Sequence, residues 1–310
     1  MNFWVDALST GVVLGTPLAF AGLGELIAER AGVINLGVEG MMLIGAVVGF
    51  AVGIHTGSIF WAMVAGGFAG GLLGLLHAAM TIGLKVNQIV MGLTLTVLGT
   101  GLSSYIGASY GNEPFKEHLS KIDIPLLSKI PWLGEVLFQQ DIMVYIAIVT
   151  VIVATLIINR TRHGLALRGV GEAPAAADAA GVPVFTVRYI AVWLGGVLAG
   201  IGGAYLSVVY TQSWSNELTA GRGWIAIALV IFASWRPLLI LPGALLFGFI
   251  EALNFQLQAK GVSIPSQYLS MMPYVFTLVV LAIVWTRQRG RSGWGMPESL
   301  GTAYEREGRS

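Results

Sequence analysis

The side chains with chemistry to perform are few, and they sit inside apolar runs: Glu25, Glu39, His77 and Glu251, accompanied by the amides Asn35, Asn87, Gln88 and Asn254. An ionisable group in hydrocarbon costs a few kcal/mol unless paired, so each marks a pairing, a proton relay or a solute path. Glu25, Glu29 and Arg30 close one apolar run and read as a solvated cap or ion pair. His77, among Gly and Ala, reads as a buried histidine bonded to a neighbouring helix. Glu251 and Asn254 lie about one turn apart and suit pairing with another helix. The stretch Ala31-Gly-Val-Ile-Asn-Leu-Gly-Val-Glu39-Gly40 is too polar and Gly-rich for a helix start facing lipid. For Asn35 and Glu39 a pathway or inter-subunit role therefore stands beside a structural one.

Catalytic constellations are missing from the sequence. It holds no G-x-S-x-G elbow, no H-E-x-x-H, no acidic ladder for a hard cation and no dinucleotide fingerprint. With 0 cysteines, disulfides, thiolate metal sites, iron–sulfur clusters and cysteine nucleophiles are excluded together. No cofactor or metal site is expected. No G-x-x-x-x-G-K-[ST] loop is present, so ATP binding through a P-loop must belong to another polypeptide. If transport is active, its energy comes from an ion gradient or from such a partner. The balance of 17 Lys+Arg against 16 Asp+Glu gives a net charge of +1, which offers nucleic acid no attractive field.

The elements that position these residues are membrane spans. Of 310 residues, 55% are apolar and 11% charged, with a mean hydropathy of +0.78. Soluble domains carry about 25% charge, so this composition describes an all-α, polytopic transmembrane bundle. About nine spans (8–10) are expected, near 8–27, 33–54, 59–84, 89–108, 142–158, 189–210, 223–235, 238–255 and 270–286. The runs are continuous rather than alternating, which excludes a barrel. No base precedes the first run and no small-residue cleavage site follows it, so it is not read as a signal peptide. Segment 223–235 is short and ends in Trp235-Arg236-Pro237, as one half of a broken or re-entrant element. Glycines at four-residue spacing in the third and sixth spans read as close helix packing.

Basic residues orient the set: Arg30, Lys85, the 159–188 loop, Arg236 and the C-terminal tail are expected in the cytoplasm, and the N-terminus outside. Two hydrophilic segments remain in the permease domain 1–286 and after it. Residues 109–141 form a Pro-broken external loop, and 287–310 a polar, Gly/Ser/Arg-rich cytoplasmic tail expected to be poorly ordered.

The most informative stretch is the loop 163–188. Pro174 suits the first turn of a helix, Glu172 complements its positive end, and Gly181-Val182-Pro183 stops it. The result is a helix of about two turns whose side chains are nearly all methyl groups, shaped to enter a cleft in a partner. Gly171-Glu-Ala-Pro-Ala-Ala-Ala-Asp-Ala-Ala-Gly181 resembles the coupling loop of ABC importer permeases, in the form found in the ribose and branched-chain amino-acid permease family. Arg30-Ala-Gly-Val-Ile-Asn-Leu-Gly-Val-Glu-Gly-Met-Met42 is similar to that family's second signature. Ala220-Gly-Arg-Gly-Trp-Ile-Ala-Ile-Ala-Leu229, Trp235-Arg-Pro-Leu238 and Gly243-Ala-Leu-Leu-Phe-Gly-Phe249 point to its nucleoside-type members. Ala173 stands where Asn is common in the family.

The resemblance implies a type II importer permease in the bacterial cytoplasmic membrane, lacking the first of the family's usual spans. A second, non-identical permease subunit would complete the path. A cytoplasmic ATPase with two nucleotide-binding halves would dock on Gly171, Glu172, Pro174, Ala176, Ala177, Ala180 and Gly181. An external substrate-binding lipoprotein would deliver a small polar solute such as a nucleoside. Such a solute needs weak hydrogen bonding at many points, for which Asn35, Asn87, Gln88, Ser103 and Ser104 are candidates alongside Glu39. The competing readings are an ion-coupled secondary transporter using Glu39 and Glu251, and a non-transport membrane enzyme or scaffold.

Overall fold

A computed structural model describes residues 3–111, 113–260, 266–288 and 295–306. The long helices are α1 (Phe3–Arg30), α2 (Val38–Thr56), α3 (Ile59–Ala78), α4 (Gln88–Gly107), α6 (Ile142–Arg160), α9 (Val184–Tyr205), α11 (Ile240–Ala259) and α12 (Ser266–Gln288). Shorter ones are α5 (Leu133–Leu137), α7 (Arg162–Glu172), α8 (Pro174–Ala179) and α10 (Arg222–Phe232). Both α3 and α9 run on into a π turn, at Ala79–Gly83 and Leu206–Tyr210. Among the described residues, 7 helices are long and apolar enough to cross a membrane by length and composition.

Two of the nine expected spans, 223–235 and 270–286, are not among these seven. α10 has 11 residues, about 16 Å at 1.5 Å per residue, half of what a bilayer requires. It turns through Ser234 and Trp235, both in the left-handed region, into Arg236, Pro237 and α11. The 270–286 segment lies within α12.

The bundle is built around α1, α2, α3 and α9. Glycine makes this possible: a Cβ added to Gly70 of α3 would lie 2.7 Å from the Cα of Gly200 on α9, so backbone rests on backbone. Phe20, Phe50, Tyr205 and Phe247 fill the space between these helices. α4 and α6 stand at the perimeter, with Leu93, Val97, Leu102 and Tyr105, and Val149, Val153 and Leu156, turned outward. Asn87 caps α4, its Oδ1 accepting from Ile89 N and Val90 N, and Asp141 caps α6 in the same way. The loop 109–141 holds a two-residue antiparallel pairing of β1 (Ile122–Asp123) with β2 (Gln139–Gln140), and buries Phe115 in the core.

The polar stretch expected to be loose is not loose where it is described. Residues 295–306 lie packed against the end of the bundle, because their backbone and side chains find partners on α7, α8, α9 and the connection before α4.

Candidate functional site

Two polar constructions stand out from the apolar body. The first is membrane-embedded. Glu39, at the start of α2, accepts from Thr219 Oγ1 at 2.5 Å, Gly221 N at 2.9 Å and Gly223 N at 2.6 Å. It is 7% exposed and occupies the N-terminus of the half-helix α10, where free N–H groups and the helix dipole favour an anion. The segment leading there descends into the bundle without helical structure. Trp214 lies against Gly107 at the end of α4, whereas Gly40, next to Glu39, packs on Gly99 eight residues earlier. The drop is about 12 Å at 1.5 Å per residue. Gln212, Glu217 and Ala220 adopt positive φ along the way. Non-helical backbone at such depth persists only inside protein or along a wet cavity. Arg222 pairs with Glu251 of α11 and donates to the Leu218 and Thr219 carbonyls, closing the fold of this segment.

Beside it, the turn 31–37 is pinned from every side. Asn35 N donates to Glu25 Oε1 at 2.9 Å, and Asn35 Oδ1 accepts from Gly37 N at 3.0 Å. Gln88 Oε1 accepts from Ile34 N at 2.7 Å, and His77 Nε2 lies 2.9 Å from Ile34 O. Thr96 Oγ1 donates to Leu36 O at 3.0 Å. Asn35 Oδ1, both Glu39 carboxylate oxygens, Asn87 Oδ1 and Gln88 Oε1 thus hold backbone N–H groups. Ser103 donates to Thr100 O within α4, and Ser104 is half-buried on the same helix.

Glu25 and Glu29 are not a solvated cap: the turn 31–37 bonds Glu25 and Trp235 bonds Glu29, and they are 1% and 4% exposed. Glu29 accepts from Trp235 Nε1, while Arg30 Nε donates to Trp235 O at 3.0 Å. His77 is buried, as expected, but its partner is this turn rather than another helix. Glu251 finds its inter-helix partner in Arg222, while Asn254 accepts from Gln258 one turn along its own helix.

The second construction is the loop 163–188. Glu172 ends α7, Ala173 breaks the backbone at φ −145°, and Pro174 opens α8. Gly181, at φ +84°, ends it, with Gly181 N on Asp178 O and Val182 N on Ala177 O. The expected stub and its stop signal are therefore both present. α7, ahead of the stub, carries three glycines and was not among the expected elements. Gly164 is there for contact: a Cβ would collide with the Ile157 and Ile158 carbonyls. Within α8, Ala177 is buried against Val170 and Val184, whereas Ala175, Ala176 and Ala179, with Ala180 just past its end, are exposed.

Residues 295–306 run across this construction as a strap. Ser299 N and Oγ both donate to Gly171 O, at 3.0 and 2.7 Å. Arg188 of α9, 2% exposed, donates to Ser299 Oγ and Thr302 O, each at 3.1 Å. Gly301 N donates to Gly32 O at 3.2 Å, and Gly32, at φ +83°, leaves no room for a side chain beside Ser299. Arg306 Nε meets Asp178 Oδ2 at 2.8 Å, and Lys85 Nζ meets Glu305 Oε1 at 2.6 Å. Tyr304 stacks against Phe185 at 5.6 Å between centroids. Arg30, Lys85, the 159–188 loop, Arg236 and the strap thus share one end of the bundle. The sequence places the loop, these bases and the tail on one side; what it does not reveal is the bonds between them.

A helical membrane bundle with a broken span, a polar embedded segment and an exposed stub at its basic end has the form of a transport permease. Residues 7–284 match the family model described as "Branched-chain amino acid transport system / permease component". The chain belongs to this family of ABC transporter permeases and is a non-enzymatic transport component. It is 39% identical to the putative glucose ABC transporter permease protein TsgC13 of Haloferax volcanii, over 99% of both chains. It is 36% identical to the nucleoside ABC transporter permease protein NupC of Lactococcus lactis (88% of this chain, 90% of that one). With the guanosine ABC transporter permease protein NupQ of Bacillus subtilis it shares 34% (87% and 89%). No solved structure matches. Membership implies an ATPase and a substrate-binding partner.

Proposed function

We propose that this permease carries nucleosides inward, that its basic end faces the cytoplasm, and that α8 is where the ATPase pushes. The carrying observation is the shape of α8: one alanine faces the body and four methyl groups face outward on a stub fixed at both ends. Such a ridge enters a cleft without burying charge, and a partner's nucleotide-driven closure then moves the whole stub. Positive charge at this end supports the orientation, with the N-terminus of α1 outside. The completing partners are a second, non-identical permease and a lipoprotein that delivers solute. The path is read along the outward side of α4 (Thr94, Ser104, Tyr105) and the descending segment (Ser215, Asn216), all exposed or half-buried. Neutral, hydroxyl-rich cargo suits such dispersed donors and acceptors. Asn35, Glu39, Asn87, Gln88 and the buried Ser103 keep this path in shape from behind, and Ser104 lies on it.

Ala176→Trp in the reconstituted importer tests the reading. Uptake should collapse while the protein inserts normally and ATP hydrolysis continues; undiminished uptake overturns the docking role. A hexose is the second reading, favoured by the glucose-named relative at 39% identity. Labelled guanosine and glucose, offered in competition to proteoliposomes with the companion binding protein, separate the two.

A further inference from the structure

The strap ties together the parts that a push on α8 must move, adding polar bonds where α7, α1 and α9 already meet. Within three residues it takes Gly171 at the α7–α8 junction through Ser299, α9 through Arg188, and the end of α1 through Gly32. Its far end takes α8 itself through Arg306–Asp178 and the exit of α3 through Glu305–Lys85. Gly171 completes the joint: a Cβ there would strike Arg30 O and sit 3.2 Å from Pro297 Cβ. α8 alone has 6 residues and rests on α9 by little more than Ala177 and its neighbours.

We propose that residues 295–306 are a positioning element that clamps the coupling stub to α1 and α9, so that displacement of α8 reaches the membrane body instead of dissipating in the loop. This rests on α8 being the ATPase contact. Ser299, Arg188 and Arg306 are its positioning residues: they touch no solute and act through Gly171 and Asp178. Because the strap reaches α1, α3 and α9 together, these elements move as one.

The test uses the complete importer in proteoliposomes, with solute uptake and ATP hydrolysis measured on the same vesicles. A chain truncated before residue 295, and separately Arg306→Glu, should insert and hydrolyse ATP but move about fivefold less solute per ATP, the lower end of ordinary coupling free energies. Asp178→Arg combined with Arg306→Glu should restore the ratio, which a general loss of stability would not do. The chain's lack of cysteine allows a further measurement. Asp178→Cys with Arg306→Cys, joined by a short bismaleimide, should retain full uptake because the strap and stub never part. Unchanged solute per ATP in both the truncated chain and Arg306→Glu overturns the proposal, as does loss of uptake on cross-linking. If Ala176→Trp is also harmless, the docking reading has failed first; if it uncouples while the strap variants do not, the clamp alone has failed.

Discussion

The core of the bundle and its basic end are held by opposite means. Between α3 and α9 backbones touch through glycine, with no polar side chain needed and no slack to move. At the basic end the stub, the strap and the ends of α1, α3 and α9 meet through hydrogen bonds and ion pairs. A neutral hydrogen bond or an exposed ion pair here is worth about 1 kcal/mol, so the joint holds by several such bonds acting together rather than by close packing. A permease needs both: a body that transmits displacement without deforming, and a joint that accepts a stroke. The embedded Glu39 lies between the two kinds, a charged anchor inside the rigid part.

Replacing Gly200 with Leu should do most to erase the contrast, since the added carbon would lie 3.0 Å from Gly70 Cα and overlap the Gly66 carbonyl. Loss of about 3 kcal/mol or more is expected, read as failed accumulation or a collapsed melting temperature in detergent. Glu39→Ala strands three buried donors and should cost about 2 kcal/mol, while Glu39→Gln recovers part of it in the same melting assay. Ser299→Ala removes the hydroxyl that donates to Gly171 O and accepts from Arg188, for about 1 to 2 kcal/mol. Its mark should be faster hydrogen exchange at 171–181 with the bundle unchanged. Arg306→Ala breaks an ion pair whose arginine is largely exposed, and melting should shift by under about 0.5 kcal/mol.

The smallest effect concerns pH. The hydrogen bond from Lys85, and then its charge, hold the Glu305 carboxyl below its ordinary range. The pair's support is therefore complete above that ordinary range and fades as pH falls through the lowered value. Protease sensitivity of the strap should stay flat near neutrality and rise only in acid.

Much of this was legible in the chain. Pro174 and Gly181 fixed the stub because ring closure and a left-handed φ are local demands, and the glycine periodicity announced the tight pairs. Trp235-Arg236-Pro237 marked the broken span. What escaped were partners far apart in sequence. Glu39 meets Thr219 across 180 positions and Ser299 meets Gly171 across 128, separations over which no periodicity carries a signal. The strap itself read as disordered because Gly, Ser and Arg are also the residues of loose tails. Here Ser299 supplies two donors and Gly301 a positive φ, roles visible only once Gly171 and Gly32 stand opposite. In α7, Gly164 and Gly171 likewise answer to carbonyls of neighbouring segments, not to their own helix.

Helix length divides along the same line as burial, and lipid thickness will feel the division. α1 has 28 residues, about 42 Å, with 83% of its apolar window buried, so it never measures the bilayer. α4 and α6, at 20 and 19 residues and 28% buried, span about 30 Å and match the hydrocarbon slab. Thinner or thicker acyl chains would therefore strain the rim by tilting those two staves, while the central post keeps its angle.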